Sequence, residues 1–372
     1  MCLQPFLLRA LSFQRTIFPT FVVHLNVYSM QLYNKLSANE RAQLIEEAGE
    51  DRLTLSFYQY AQVENPQLFR DYLFIHWHQL EVLGRIYVAH EGINAQLSVP
   101  ATNFGLFKAQ IDSITFLENV RLNIAVEQDN KSFLKLTIKV RDKIVADGLE
   151  DSSFDVTQKG KHVNALEFNG LLEDENTICV DMRNHYESEI GHFQKAVTPD
   201  VDTFRESLPI IEQDLADHKE DKNLLMYCTG GIRCEKASAY FKHKGFKKVY
   251  QLEGGIIEYA RQVKTLGIEN KFVGKNFVFD ERRGERISEE VIAQCHQCGA
   301  QCDTHVNCIN EACHLLFIQC ESCQEKMDKC CSTACQEIIA LPLEKQRALR
   351  KGMHNSNKTF KKGRSQVLKF KQ

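Results

Sequence analysis

Cys228-Thr229-Gly230-Gly231-Ile232-Arg233 is the stretch of sequence that decides the fold of this chain. The apolar run Leu224-Leu225-Met226-Tyr227 leads into it like a buried strand, and residues 234–243 continue with a helical pattern. A short loop between such a strand and a helix directs several backbone N–H groups, and the positive end of the helix dipole, to one point. The sequence therefore predicts that Cys228 ionises readily to a thiolate, the nucleophilic form of the side chain.

The motifs on either side of this loop occur in a specific order. A strand-like segment ends in Asp181-Met182-Arg183, a turn with Gly191-His192 follows, and Gly254-Gly255 comes after the next strand. Together they resemble the rhodanese domain over about residues 160–265, which implies an α/β domain with a parallel sheet. The match assigns to the catalytic motif Cys228, Arg233, Cys234, Asp181 and Arg183, and we expect substrate contacts from Thr229, Gly230, Gly231 and Ile232.

The spacing inside the loop separates two reaction classes. Four residues lie between Cys228 and Arg233. This is the spacing of sulfurtransferases, whereas the related phosphatases have one more residue to fit a phosphate. A phosphatase is therefore not expected. Without the flanking motifs, Cys228 could equally be a small apolar residue at the end of a strand.

Residues 30–145 show a different pattern. Strand-like and helical segments alternate over residues 53–60, 66–80, 84–89, 94–99, 104–114 and 133–140. This βαββαβ order predicts an α+β, ferredoxin-like or acylphosphatase-like domain. Residues 142–160 read as a linker to the next domain.

The hairpin tip His90-Glu91-Gly92-Ile93-Asn94 is unusually polar. Turn chemistry explains part of it, because Gly92 permits positive φ and Asn94 can cap with its side chain. The other interpretation is that His90, Glu91 and Asn94 contact the substrate.

Three arginines follow the rhodanese-like region, Arg282, Arg283 and Arg286. They could bind phosphates. They could also pair with the neighbouring acids Asp280, Glu281 and Glu285, which is the commoner outcome for exposed charges.

Ten of the fourteen cysteines fall within a module at residues 270–340. The two Cys-x-x-Cys pairs, Cys295 with Cys298 and Cys320 with Cys323, predict a structural zinc site of four thiolates. The remaining candidate ligands are Cys302, Cys308, Cys313, Cys330, Cys331 and Cys335. Disulfides and an iron–sulfur cluster are the alternatives, but a reactive thiolate indicates a reducing, cytoplasmic compartment, which favours a metal.

The two ends of the chain differ in charge. Residues 345–372 hold ten Lys or Arg and no acid. Because the whole chain carries a net charge of −3, the rest of it carries −13. This basic tail is either a polyanion-binding arm or a solvated, disordered end. Residues 1–29 contain no acid, yet the uncharged run of residues 16–34 is too polar for a membrane span and no cleavage site follows. We expect no membrane association, and an over-extended start or an unfolded extension at residues 1–29.

The full arrangement over residues 30–340 resembles the bacterial rhodanese-related tRNA uridine hydroxylases. The resemblance implies oxygen-dependent 5-hydroxylation of the wobble uridine of tRNA anticodons, with molecular oxygen as co-substrate and tRNA as partner. No Gly-x-Gly-x-x-Gly fingerprint occurs, so the chain has no flavin or nicotinamide motif. One hypothesis for the chemistry is attack of the Cys228 thiolate on C6 of uracil, which makes C5 electron-rich. The alternatives are a sulfurtransferase that carries a persulfide on Cys228, and an RNA-binding module in which the cysteine is vestigial.

Overall fold

A computed structural model of the chain describes residues 38–149 and 154–352. The extension expected at residues 1–29 and the part of the basic tail beyond Gly352 lie outside the described residues. Among the described helices, none combines the length and the apolar character that a membrane crossing requires.

The first domain is one mixed sheet with helices on it. Its elements are α1 (Ala38–Ala48), β1 (Arg52–Tyr60), α2 (Pro66–Gln79), β2 (Leu83–Ala89), β3 (Gly92–Pro100), α3 (Phe104–Asp112), β4 (Asn123–Ile124) and β5 (Leu136–Val140). The strands lie in the order β4-β1-β3-β2-β5, of which the first four form the expected ferredoxin-like arrangement. Helix α2 begins at Pro66, where the missing N–H costs nothing, and the Asn65 side chain caps it by accepting a hydrogen bond from the Leu68 N–H at 3.0 Å. Its fully buried Trp77 anchors the core between sheet and helices.

The last strand of this plan is not the one that the sequence pattern indicated. The two-residue strand β4 pairs with β1 through Leu55–Ile124 and Ser56–Asn123, which completes the βαββαβ order. Strand β5, predicted over residues 133–140, instead pairs parallel to β2 at the opposite edge. The two residues of β4 are too few to show an alternating pattern in the sequence. The prediction therefore took β5 for the last strand of the βαββαβ order.

The second domain has a four-stranded parallel sheet, as the rhodanese resemblance implied. Its elements are β6 (Lys161–Val163), α4 (Ala165–Glu173), β7 (Thr177–Asp181), α5 (His185–Ser188), β8 (Gly191–Phe193), α6 (Phe204–Asp214), β9 (Asn223–Tyr227), α7 (Ile232–His243), β10 (Lys248–Leu252) and α8 (Gly255–Leu266). The sheet order is β6-β10-β9-β7, and all its pairs are parallel. Strand β9 and helix α7 therefore flank the Cys228 loop at the carboxyl edge of the sheet, where open α/β sheets place their ligands.

The remaining elements attach to this domain. Strand β11 (Phe272–Asn276) pairs with β8 and with the short β12 (Glu285–Arg286). The cysteine-rich part follows with β13 (His305–Asn307), β14 (Leu316–Ile318), α9 (Glu321–Lys326), α10 (Thr333–Ile339) and α11 (Leu343–Arg350). Its strands form a two-stranded hairpin, and six of the ten buried hydrophobic residues between Ala293 and Cys335 are cysteines, so bulky apolar side chains contribute little to its core.

Candidate active site

The sulfur of Cys228 accepts a hydrogen bond from the backbone of the loop that follows it. The Gly231 N–H donates to it at 3.1 Å, and Arg233 and Cys234 follow in the first turn of α7. Gly231 can close this turn because its φ is +101°, and a side chain there would meet the Tyr58 hydroxyl at 2.8 Å. The geometry of the loop therefore favours a negative charge on the Cys228 sulfur.

The electrostatics of the loop favour the thiolate. Burial alone would raise the pKa of Cys228, because only 1% of the residue is exposed. The hydrogen bond from Cys234, the positive charge of Arg233 and the backbone N–H donors outweigh burial and lower the pKa of Cys228 to about 6. At neutral pH the side chain is mainly a thiolate.

Arg233 is held by two hydrogen bonds to one carboxylate. Its guanidinium donates to the two oxygens of Glu187 at 2.6 and 2.8 Å, and both side chains are buried. Glu187 lies on the short helix α5, and sequence analysis assigned it no role. The pair keeps the cation beside Cys228 in one orientation.

The predicted catalytic residues Asp181 and Arg183 lie elsewhere. Arg183 pairs with Asp181 through contacts of 2.7 to 3.2 Å and donates to the Gly191 carbonyl at 2.6 Å. Tyr227 donates its hydroxyl to Asp181 at 2.8 Å. Both charged residues are fully buried, and neither lines the cavity next to Cys228. This pair therefore braces β7 against β8 and β9.

The sheet of the first domain covers the cysteine loop. The Tyr58 hydroxyl on β1 donates to Glu235 at 3.0 Å, and the Asn123 side chain on β4 donates to the Gly230 carbonyl at 3.4 Å. From the other side, the backbone N–H of Ile256 binds the Cys228 carbonyl at 3.0 Å. A side chain at Gly255 would meet that carbonyl at 2.5 Å, which explains the glycine pair at this point.

A cavity of about 800 Å³ lies between the sheet and the loop, and Cys228, Thr229, Gly230, Ile232 and Arg233 line it. The first domain contributes Tyr58, Tyr87, Asn94, Gln96 and Asn123. Aromatic side chains also come from Tyr186 and Phe279, and exposed cations from Arg85 and Arg205. Most of these residues carry no local sequence signal, because only the docking of two domains brings them together.

The polar residues of the hairpin tip have two different roles, at the cavity and in contacts within the fold. Asn94 lines the cavity and donates a hydrogen bond to the Ile144 carbonyl at 3.1 Å. His90 binds the Val63 carbonyl through Nδ1 at 2.9 Å, and Glu91 contacts the ammonium of Lys236 on α7. Of the three predicted substrate contacts, His90 and Glu91 are therefore turn and interdomain contacts.

Of the three arginines predicted to bind phosphate, two also make contacts within the protein. Arg282 pairs with Asp280 and Glu285 and donates to the Glu127 carbonyl, although it borders the cavity. Arg286 pairs with Asp303 at 2.6 Å. Arg283 makes no ion pair within the described residues and does not line the cavity. Arg282 and Arg286 are therefore neutralised by acids of the same chain. The exposed cations at the cavity are Arg85 and Arg205.

Two groups of four cysteines can each hold a metal ion. Cys295, Cys298, Cys320 and Cys323 form the first, and Cys308, Cys313, Cys331 and Cys335 form the second, with sulfur atoms within 4.8 Å of one another in each. Four thiolates at this separation suit tetrahedral coordination. Cys302 and Cys330, also candidate ligands, belong to neither group. Every described cysteine is a free thiol.

Comparisons with known protein families match three successive parts of the chain. Residues 52–144 match the UPF0176 acylphosphatase like domain, residues 164–262 the rhodanese-like domain, and residues 273–336 the family described as rhodanase C-terminal.

Similar full-length proteins come from bacteria. A tRNA uridine(34) hydroxylase of Leptospira interrogans is 55% identical over 339 residues, which are 91% of this chain and 90% of that protein. A tRNA uridine(34) hydroxylase of Pectobacterium atrosepticum is 56% identical over 335 residues, 90% of this chain and 94% of the relative. A third tRNA uridine(34) hydroxylase, from Photorhabdus laumondii, is 53% identical over 338 residues, which are 90% of this chain and 96% of the relative.

Proposed function

We infer that this chain, which belongs to the tRNA uridine(34) hydroxylase family, hydroxylates the wobble uridine of tRNA. The observation that carries the chemistry is the Cys228 sulfur, held as a thiolate at the wall of a cavity of about 800 Å³. A thiolate is the nucleophile that an electron-poor pyrimidine ring accepts at C6.

The cavity suits a nucleobase that has left its stack. Tyr87, Tyr186 and Phe279 offer aromatic faces, on which bases of single-stranded RNA stack. The side-chain amides of Asn94 and Gln96 offer both donors and acceptors for the edge of uracil. Arg85 and Arg205 are exposed at the cavity and can neutralise the flanking phosphates.

The reaction begins at C6 of the ring. The Cys228 thiolate adds to C6, and the negative charge moves to C5 and the O4 oxygen, where Arg233 and the loop N–H groups favour it. Molecular oxygen is the co-substrate that C5 then attacks, and the uptake of one proton gives a hydroperoxide at C5. Two electrons from thiols then break the O–O bond, which leaves a hydroxyl group at C5 and releases the other oxygen as water. Loss of the C6–S bond together with the C5 proton restores the ring double bond. We place this reaction in the cytoplasm, which keeps thiols reduced.

The cysteine groups fit zinc. Two sets of four thiolates, with no histidine or water position needed, match closed structural sites, so the bound ions supply folding energy to a module with a small apolar core. All eight proposed ligands lie outside the cavity lining, which leaves the chemistry to Cys228.

Nucleoside mass spectrometry tests the function directly. Purified protein, unmodified tRNA, air and a thiol reductant should give 5-hydroxyuridine at position 34, and Cys228→Ser should give none. Cys179→Ala is the matched control, because Cys179 is buried on β7 and does not line the cavity. A wild-type protein that forms thiocyanate from thiosulfate and cyanide but no 5-hydroxyuridine would instead be a sulfurtransferase.

A further inference from the structure

The Cys234 thiol is a buried group that the chemistry above does not use. It lies at the third position of α7, with none of its surface exposed. It packs in the same buried cluster as Cys228, and its interaction with the Cys228 sulfur is among the causes that lower the pKa of Cys228. Cys228 lines the cavity and Cys234 does not, so Cys234 can reach the reacting sulfur without competing with the base for space.

The hydroxylation requires two electrons that uridine does not provide. One atom of dioxygen enters the product when C5–H becomes C5–OH, and the other must be reduced to water. Two thiols supply two electrons and two protons when they become a disulfide. Cys228 and Cys234 are such a pair, because both are buried in one hydrophobic cluster and Cys234 lies in the first turn of the helix that follows the Cys228 loop.

We propose that Cys234 is the resolving thiol of the hydroxylation and forms a disulfide with Cys228 once in every turnover. The proposal rests on the proposed function. It adds the source of the two electrons and gives Cys234 a role that differs from hydrogen bonding.

The Cys228 sulfur, bonded to C6, takes the distal oxygen of the C5 hydroperoxide, so the O–O bond breaks, the sulfur is oxidised and C5 keeps a hydroxyl group. The C6–S bond then breaks while the C5 hydrogen moves as a proton to the sulfur-bound oxygen. This step restores the ring and releases Cys228 as a sulfenic acid. The Cys234 thiol attacks that sulfur, and the oxygen leaves as water. In total, uridine, dioxygen and two thiols become 5-hydroxyuridine, water and one disulfide.

Other cysteines are poorly placed for this step. Cys179 lies on the neighbouring strand β7 in a different hydrophobic cluster. The remaining described cysteines all belong to the C-terminal module. A small external thiol can reach the disulfide through the cavity, because Cys228 lines it, and can so return the pair to the reduced state.

The test compares one turnover with many. The full-length protein is reduced, freed of reductant, mixed with unmodified tRNA in air and quenched with dimedone and N-ethylmaleimide. We expect one 5-hydroxyuridine and one Cys228–Cys234 disulfide per chain, and further product only after a dithiol is added. Wild-type protein that forms several products per chain without reductant, with both thiols free, would overturn the proposal and leave the function intact. Absence of 5-hydroxyuridine even with reductant would instead contradict the function.

Two variants separate electron transfer from hydrogen bonding. Cys234→Ser keeps a donor to the Cys228 sulfur, so its first turnover should proceed and leave a dimedone-labelled Cys228. Its repeated turnover with a dithiol should be slower than that of the wild type and of the Cys179→Ala control. If Cys234→Ser turns over like the wild type, and only Cys234→Ala is impaired, then Cys234 is a hydrogen-bond donor and not the resolving thiol.

Discussion

The ammonium group of Lys236 on α7 contacts the carboxylate of Glu91 in the β2–β3 turn. The same ammonium lies 3.0 Å from Asp147, and only 1% of the Lys236 side chain is exposed. This buried pair ties the first domain to the helix that begins at the cysteine loop. It therefore holds the two walls of the cavity together.

Lys236→Met should destabilise the protein, because it leaves the buried Asp147 and the partly buried Glu91 without this cation. Removing one partner of a buried pair costs roughly 3–5 kcal/mol, and we expect about 3 kcal/mol because Lys143 still contacts Asp147 at 2.7 Å. Urea denaturation measures the loss. The control is Lys247→Met, whose exposed contact to Glu220 at 3.9 Å should contribute less than about 1 kcal/mol. Equal losses in both variants would show that the buried contact does not join the domains.

The alkylation of Cys228 should follow a pKa of about 6. The thiolate is the reactive form, so the rate with iodoacetamide should rise from pH 5 to pH 7 and then level off. An ordinary cysteine, with a pKa of about 8.5, would still be gaining rate at pH 8. Peptide mass spectrometry follows Cys228 and Cys179 in the same sample, and similar profiles for the two would contradict an activated loop.

Arg233→Gln should raise the pKa of Cys228, because it removes the positive charge beside the sulfur. The alkylation profile should then shift to higher pH. Arg205→Gln is the control, since Arg205 borders the same cavity and is no cause of the lowered pKa. An unchanged profile for Arg233→Gln would assign the activation to the loop N–H groups alone.

The protein should bind two zinc ions, and single substitutions should separate ligands from bystanders. Cys298→Ser removes one member of a four-sulfur group, and the bound zinc should fall from two ions to one per chain. Cys302→Ser should retain both ions, because Cys302 belongs to neither group. Metal analysis of reduced protein gives the count, and full retention by Cys298→Ser would exclude the first group as a closed site.

Truncation after Gly352 should weaken the binding of all RNAs while the modified nucleotide stays the same. The deletion removes six Lys or Arg residues and leaves α11 intact. Fewer phosphate contacts flatten the dependence of the affinity on salt concentration. Binding titrations at several salt concentrations measure the slope. A change in the modified position with an unchanged slope would mean that the tail reads RNA sequence or shape.

The sequence alone was enough to determine the features that depend on neighbouring residues. The strand, loop and helix around Cys228 follow from a local pattern. The Cys-x-x-Cys pairs, Cys295 with Cys298 and Cys320 with Cys323, likewise predicted which four sulfurs meet. Such features are local because a loop of fixed length, or a pair of cysteines three positions apart, has few conformations.

Only the tertiary structure decided which charges face the cavity. Asp181 and Arg183 read as catalytic in sequence, yet they neutralise each other in the core. Asn123 and Gly230 are 107 positions apart, and their contact depends on how one sheet docks on another domain. A charged side chain is available to a ligand only if no nearer opposite charge pairs with it. That competition is settled by distances across the fold, which no local pattern contains.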